Sequence, residues 1–344
     1  MLPKRRKTQT SVRSRHLVLS IILSTLLVTA YLQGSSNEER HHVVREAYLM
    51  GTMASLEIHS ADRGSGLDQL EEFLGIMERT DAELTTWKGD STISRFNIAP
   101  LGVEFPLEAG TCRLVGKVVD LHQLSNGAFD PAVGRLLAAW GVYGSARLPT
   151  ATELETSRSQ SGLHLLSFSP EECLATRQGN ILLDSGAFWK GEALDRVRAY
   201  SEENVLDPWL INLGGQVAVH GHPPGNDFWQ VDISSPVDRE KPYTTLNLAR
   251  GSLATSGNSE RGVEVGHILD PRTGQPSLFS GSVTVWHKQA LVADALSTAL
   301  HVMGSEEGIE WANLNEIAVC FISVSESGHI EIRRSRLFDR LVLP

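Results

Sequence analysis

The sequence predicts an α+β protein, because segments that alternate like β-strands and segments with helical spacing both occur along the chain. Of the 344 residues, 41% are hydrophobic and 21% are charged, which is typical of a folded globular chain with a sizeable core. The net charge is −10. We therefore expect no nucleic-acid partner, since phosphate backbones bind to clustered Lys and Arg.

The first 40 residues predict an export signal followed by a linker. Basic residues crowd positions 4–15, an uncharged apolar run occupies 17–32, and a polar, acidic stretch follows at 34–39. This order is typical of a signal peptide that is removed or of a signal anchor that stays in the inner membrane, and both alternatives remain open. We therefore expect a periplasmic or otherwise extracytoplasmic protein whose exported domain spans 41–344.

The cysteines are few and widely spaced. They are Cys112, Cys173 and Cys320, and no two have the spacing of metal ligands. We interpret them as small buried apolar residues, with one pair open to oxidation in an exported protein.

The first part of the exported region alternates between strand and helix signals. Residues 53–58 alternate as a strand should, and residues 67–84 carry apolar side chains near helical spacing. The polar, turn-rich segment 87–97 is predicted as a surface loop, a place where binding residues often lie. A second helix is predicted over 110–125.

Two following segments put acidic residues at turns. Asp130 precedes a proline, and composition predicts that it caps the helix that follows. A short strand at 180–183 is predicted to end at Asp184 and to turn through glycine towards a helix from Glu192. Such a strand-to-helix turn would place a carboxylate, backbone amides and Lys190 around the N-terminus of the helix, a position that favours anions. A plain joint with the lysine in solvent is the alternative.

The second half of the chain is rich in predicted strands. Segment 209–221 is predicted as two strands with a Gly-Gly break between them. Further strands are predicted at 229–233, 245–248 and 282–286, a dense turn at 266–276, and a closing hairpin over 317–332.

The last predicted helix carries oxygen-bearing side chains on one face. Its Ala and Leu content favours a helix over 293–300, and Asp294, Ser297 and Thr298 then stand at i, i+3 and i+4. A carboxylate with two hydroxyls is a half-shell suited to Mg²⁺, which prefers oxygen and keeps water and substrate phosphates as further ligands. The alternative is a core helix whose hydroxyls bond back to their own turn.

Eight short motifs follow one another along the chain, from about Tyr48 to the C-terminus. The motifs are Met50-Gly51-Thr52, Asp90-Ser91-x-Ile93-Ser94-Arg95-x-Asn97, Phe129-Asp130-Pro131-x-Val133-Gly134, Asp184-x-Gly186-x-x-Lys190-Gly191, Asn212-Leu213-Gly214-Gly215, Thr255-Ser256-Gly257, His267-Ile268-x-Asp270-Pro271-x-Thr273-Gly274 and Ala293-Asp294-Ala295-x-x-Thr298. Each is weak alone, but together, in this order and at sensible intervals, they are specific, and the pattern resembles the ApbE family of FAD:protein FMN transferases.

This resemblance implies an enzyme with mixed β-sheets covered by helices in a T-fold-like arrangement. Members of the family use Mg²⁺ to split FAD at its pyrophosphate and transfer the FMN half to a Thr hydroxyl of an acceptor redox protein, with release of AMP. Two alternatives accompany this expectation. One is an FAD pyrophosphatase that gives FMN and AMP, and the other is a periplasmic protein that binds FAD without turning it over.

The resemblance also implies roles for individual residues. Asp294, Ser297 and Thr298 would face Mg²⁺, with the backbone carbonyl of Ala187 nearby. His267 would orient or deprotonate the attacking hydroxyl, and Asp294 would share the catalytic role. The FAD site would be lined by Met50, Trp87, Phe129, Asp130, Asp184, Lys190 and Ile268.

The chain departs from the family pattern at three places. The family usually shows Asp-Leu-Gly-Gly-Ile-Ala-Lys-Gly, whereas Ser185, Ala187, Phe188 and Trp189 alter the middle of this motif. Trp87 stands where the family commonly has Tyr, which keeps a stacking surface and removes a hydroxyl. Ser297 occupies a position where some relatives carry a carboxylate, so a weaker Mg²⁺ site is expected.

Overall fold

A large antiparallel sheet organises the protein in the computed structural model, which describes residues 40–144, 146–235, 241–257, 268–324 and 329–342. The sheet has eight strands in the order β1-β2-β6-β7-β10-β11-β12-β13. They are β1 (His41–Leu49), β2 (Thr52–Ser60), β6 (Trp209–Leu213), β7 (Gln216–His220), β10 (Arg250–Gly257), β11 (Gly281–His287), β12 (Ala318–Val324) and β13 (Ile330–Arg334). The predicted α+β class is confirmed, and every pairing between these strands is antiparallel.

Two small sheets accompany the large one. The first has three strands in the order β3-β5-β4, and the second is the hairpin of β8 and β9. Their bounds are β3 (Glu104–Pro106), β4 (Leu166–Ser169), β5 (Leu174–Arg177), β8 (Trp229–Ser234) and β9 (Pro242–Leu248).

Helices pack against both faces of the large sheet, on one of them together with the β8–β9 hairpin. They are α1 (Arg63–Leu84), α2 (Thr92–Ile98), α3 (Ala109–Leu124), α4 (Gly134–Ala139), α5 (Ala151–Ser159), α6 (Trp189–Asn204), α7 (Ala290–Leu314) and α8 (Arg336–Val342), with a short 3-10 turn at Leu163–Leu165. No helix in the described ranges is both long enough and apolar enough to cross a membrane. The predicted export segment lies outside those ranges.

Strand β12 shows how the sheet is covered on both faces. Val319 and Phe321 point into the main core, whereas Ala318, Cys320 and Ile322 point into a second core that also contains side chains of β8, β9 and α8. Because successive side chains of a strand face opposite ways, this strand is apolar throughout. The sheet therefore lies between two layers.

Three local predictions are wrong, and each error comes from side-chain hydrogen bonds that local composition does not reveal. Segment 87–97 is not a loop throughout, because Ser91 caps α2 by accepting a 3.0 Å bond from the Ser94 amide. Residues 180–183 form no strand; instead the Asn97 side chain bonds the Leu183 amide and carbonyl at 2.7 and 2.8 Å. Asp130 does not cap α4, whose N-cap is Val133.

The structure contains the one oxidised pair that the sequence left open, and Cys112 and Cys320 are buried as expected, whereas Cys173 is half-buried. Cys112 and Cys173, which are 61 positions apart in the sequence, form a disulfide with 5.3 Å between their Cα atoms. The disulfide joins α3 to the turn between β4 and β5, two elements that are far apart in sequence. Cys320 is a free buried thiol, and burial raises its pKa to about 12.

Candidate active site

Helix α7 begins against α6, and this contact positions the predicted metal-binding face. Asp195 on α6 accepts bonds from the amides of Ala290 and Leu291 at 2.8 and 3.1 Å, so it satisfies the first turn of α7 from outside. Gly191 allows the two helices to approach, since a Cβ there would lie 2.5 Å from the Ala290 carbonyl oxygen. Asp294, one turn into α7, consequently faces the start of α6.

The Asp294 carboxylate is held between a backbone amide and a cation. Its Oδ2 accepts a 3.0 Å bond from the Gly191 amide, and its Oδ1 lies 3.6 Å from Lys190 Nζ. Asp294 is 6% exposed. A carboxylate that is this buried favours a positive charge beside it.

Ser256 on β10 ties together the two hydroxyls of α7. Its Oγ lies 2.7 Å from Ser297 Oγ and 3.3 Å from Thr298 Oγ1. The Ser297 hydroxyl also donates to the Asp294 carbonyl at 2.9 Å, so the alternative of a hydroxyl bonded to its own turn holds for this residue. Thr298 and Asp294 line a cavity, whereas Ser297 lies behind that wall.

We call this cavity, of about 200 Å³, the inner cavity. It brings together predicted residues from four separate segments of the chain. They are Phe129, Asp130, Asp184, Ala187, Lys190, Ile268, Asp294 and Thr298. The turn after residue 183 therefore places the Asp184 carboxylate and Lys190 on the wall of one cavity. The lysine side chain is half-buried rather than free in solvent.

An outer cavity of about 680 Å³ adjoins the inner one and contains the other predicted flavin residues, Met50 and Trp87. Met50 lies in the tight turn between β1 and β2, where it and Gly51 have φ of 51° and 71°. Positive φ at both central residues is the pattern of a type I′ hairpin turn. The residues that line both cavities are Tyr143, Asp184, Gly186 and Lys190.

Tyr143 is a site residue that the sequence interpretation missed. Its hydroxyl donates to Asp184 Oδ2 at 2.9 Å, and its ring meets that of Trp87 edge to face at 4.8 Å between centroids. The one signal available in the sequence is an aromatic residue between two glycines, Gly141 and Gly144.

Asp130 holds the backbone around the inner cavity. Its two oxygens accept bonds from the amides of Ala132 at 2.8 Å and Leu163 at 3.0 Å, and His122 Nδ1 lies 3.4 Å away. Burial raises the pKa of this carboxyl, and the opposing effects of His122 and the backbone bonds do not cancel it. Asp130 therefore clamps two loops, in addition to lining the cavity.

The donor set of the inner cavity fits a hard divalent cation. In the ranges described, no three His, Cys, Asp or Glu side chains converge on one point, so a site closed by protein ligands is not present there. A carboxylate and a threonine hydroxyl on one wall instead match Mg²⁺, which binds few protein oxygens and keeps water and phosphate ligands. His267, the predicted base, lies outside the described residues.

Comparison with known proteins shows the family of the chain. Residues 50–321 match the ApbE family. An FAD:protein FMN transferase of Vibrio cholerae is 30% identical over 270 residues, which cover 76% of this chain and 80% of the relative. An FAD:protein FMN transferase of Haemophilus influenzae is 28% identical over 293 residues, which cover 79% of this chain and 82% of the relative.

Solved structures give the same result. The flavin transferase ApbE from Vibrio cholerae has a TM-score of 0.79 at 28% identity, over 88% of this chain and 99% of the other. The apo form of the flavinyl transferase ApbE of Pseudomonas stutzeri has a TM-score of 0.80 at 28% identity, over 88% of this chain and 97% of the other. From this sequence match, this fold and this site, we conclude that the chain belongs to the ApbE family.

Proposed function

We propose that this chain is an Mg²⁺-dependent FAD:protein FMN transferase that moves the FMN part of FAD to a threonine hydroxyl of an acceptor redox protein. The observation that carries the proposal is the meeting of the Asp294 carboxylate, the Thr298 hydroxyl and the Lys190 ammonium in the inner cavity. Relatives that cover most of the chain carry this transferase name, which supports FAD as the substrate.

The reaction breaks the P–O–P bond of FAD and forms a phosphoester. The threonine oxygen attacks the phosphorus of the FMN half, AMP leaves with the bridging oxygen, and the hydroxyl proton is released. Mg²⁺, when bound by Asp294, Thr298 and the carbonyl of Ala187, supplies charge neutralisation on the phosphates. Lys190 binds a phosphate oxygen by a charge-assisted contact. His267 is the proposed group that orients or deprotonates the hydroxyl.

The hydrogen bonds around Ser297 favour a supporting role over direct metal binding. Its hydroxyl is already engaged by Ser256 and by the Asp294 carbonyl. We therefore assign Ser297, predicted as a ligand, to fixing the orientation of the α7 wall. Thr298, which lines the cavity, keeps the role of ligand.

The proposal includes an extracytoplasmic location. The Cys112–Cys173 disulfide supports it, because disulfides persist in oxidising compartments. Residues 17–32 would act as a signal peptide or as an anchor in the inner membrane, so that the acceptor would be an exported electron-transfer subunit.

The test is incubation of the purified protein with FAD, MgCl₂ and a candidate acceptor domain. Covalent FMN on an acceptor threonine, seen by mass spectrometry, together with release of AMP supports the transferase. AMP and free FMN without a labelled acceptor would show a pyrophosphatase instead. Intact bound FAD after long incubation would show a binding protein.

A further inference from the structure

Tyr143 lies where the inner and outer cavities meet, in the turn that follows α4. This turn is fixed from behind, because Trp140 Nε1 donates a 2.8 Å bond to the carbonyl of Gly274. Trp140 is itself buried. The backbone that carries Tyr143 is therefore anchored to the loop that follows Ile268 and Leu269, two residues of the inner wall.

The hydroxyl of Tyr143 controls the orientation of the Asp184 carboxylate. It donates to Asp184 Oδ2 at 2.9 Å, while the Gly186 amide donates to Oδ1 at the same distance. Because these two bonds reach different oxygens, the carboxylate cannot rotate without losing a charge-assisted bond. Asp184 lines both cavities, where the fixed carboxylate can accept an N–H or O–H group from a ligand.

The ring of Tyr143 forms an open aromatic corner with Trp87. The two ring planes meet at 84° with 4.8 Å between centroids, and the side chains are 41% and 63% exposed. A planar ligand ring that stacks on one of these side chains meets the edge of the other, the arrangement that aromatic quadrupoles favour. The corner lines the outer cavity.

We propose that Tyr143 is a positioning residue for the flavin dinucleotide. Its hydroxyl holds Asp184 in the orientation that accepts a donor of the ligand, and its ring forms with Trp87 the seat of a planar ring of FAD. The inference rests on the proposed function for the identity of the ligand. It assigns Tyr143 to binding and not to the transfer step, so the affinity for FAD should change while the turnover number is kept.

The first experiment titrates FAD into the full protein and follows the quenching of flavin fluorescence. Tyr143→Phe keeps the ring and removes the hydroxyl, so the Kd should rise about 10-fold, since hydrogen bonds to charged groups are among the stronger ones. Tyr143→Ala also removes the ring and should raise it about 100-fold. The kcat of Tyr143→Phe at saturating FAD should stay within about 2-fold of wild type. Tyr243→Phe, on β9 against the second core, is the matched control and should change nothing.

The second experiment separates positioning from a merely structural role. Because the hydroxyl acts through Asp184, Tyr143→Phe should add less than about 2-fold to the Kd in an Asp184→Ala background. The proposal would be overturned if the two substitutions raised the Kd for FAD independently, so that their fold-changes multiply in the double variant. An unchanged Kd in Tyr143→Phe would also overturn it. A wild-type protein that does not bind FAD would overturn the proposed function as well. If Tyr143→Ala fails to fold, Tyr143→Phe alone and in the Asp184→Ala background still tests whether Tyr143 positions Asp184.

Discussion

The inner and outer cavities share four residues, yet their walls are built in different ways. On the inner wall, Asp294 is 6% exposed, and Ser297, directly behind this wall, is 1% exposed; their polar atoms are bonded to residues of α6 and β10. On the outer wall, Trp87 is 63% exposed and meets Tyr143 by a ring contact.

In the proposed function, this difference separates the chemical step from the recognition of FAD. Buried polar groups that are satisfied by several partners are held in one arrangement, which suits charge stabilisation on phosphates. Exposed aromatic groups give contact area without such constraint. Changes to the inner wall should therefore reduce turnover or folding, and changes to the outer wall should reduce affinity alone.

The strongest test of this comparison is Asp294→Asn. The substitution keeps the shape and an acceptor for the Gly191 amide but removes the charge beside Lys190. Turnover at saturating FAD should fall about 1,000-fold or more, because the charge would hold the divalent cation. The measurement is the initial rate of AMP release across a MgCl₂ series. Asp232→Asn, on β8, serves as the control, and undiminished activity of Asp294→Asn would count against the metal assignment.

Gly191→Ala tests whether the approach of the helices builds the inner wall. A Cβ at this position would lie 2.5 Å from the Ala290 carbonyl oxygen and 2.6 Å from Leu291 Cα. The free energy of unfolding should fall by about 3 kcal/mol, measured by urea denaturation. Gly116→Ala in α3 is the matched control, since its nearest neighbour, Phe168 Cε1, would be 3.7 Å away. The control should gain about 0.5–1 kcal/mol from the better helix former; equal effects in both variants would refute the packing argument.

Lys190→Met sharpens the comparison at a residue that lines both cavities. The variant keeps most of the aliphatic stem and removes the ammonium group that lies 3.6 Å from Asp294. We expect kcat/KM for FAD to fall about 30-fold through the lost phosphate contact. Steady-state kinetics measures kcat/KM for this variant and for Lys288→Met, which is the control. A loss of the same size in the control would mean that the effect is one of overall charge.

Trp87→Ala should have the smallest effect. Loss of one exposed aromatic face should raise the KM for FAD about 5-fold, with kcat and the melting temperature nearly unchanged. Trp87→Phe should recover most of the affinity. A large loss of kcat in Trp87→Ala would erase the distinction between the two walls.

The sequence predicted the parts of the site that depend on local spacing. Asp294 and Thr298 lie four residues apart on one helix, so helical periodicity was enough to put them on one wall. The same periodicity could not show that Thr298 lines the cavity and Ser297 does not, because Ser297 is held by its 2.7 Å bond to Ser256 on a strand distant in sequence. Such contacts are fixed by tertiary packing.

The contacts that the sequence could not reveal join distant segments. Tyr143 and Asp184 are 41 residues apart, and the disulfide spans 61. The apolar run at 181–183 has the composition of a strand, yet the Asn97 side chain, 86 residues away, takes the place of a strand partner for Leu183. A local pattern contains no information about that partner.

The most direct measurement is a crystal structure of the protein soaked with FAD and MgCl₂. We predict one metal ion bound to the Asp294 carboxylate and the Thr298 hydroxyl, in contact with the diphosphate of an FAD molecule that occupies both cavities. An ion bound elsewhere, or a nucleotide outside the inner and outer cavities, would contradict the account.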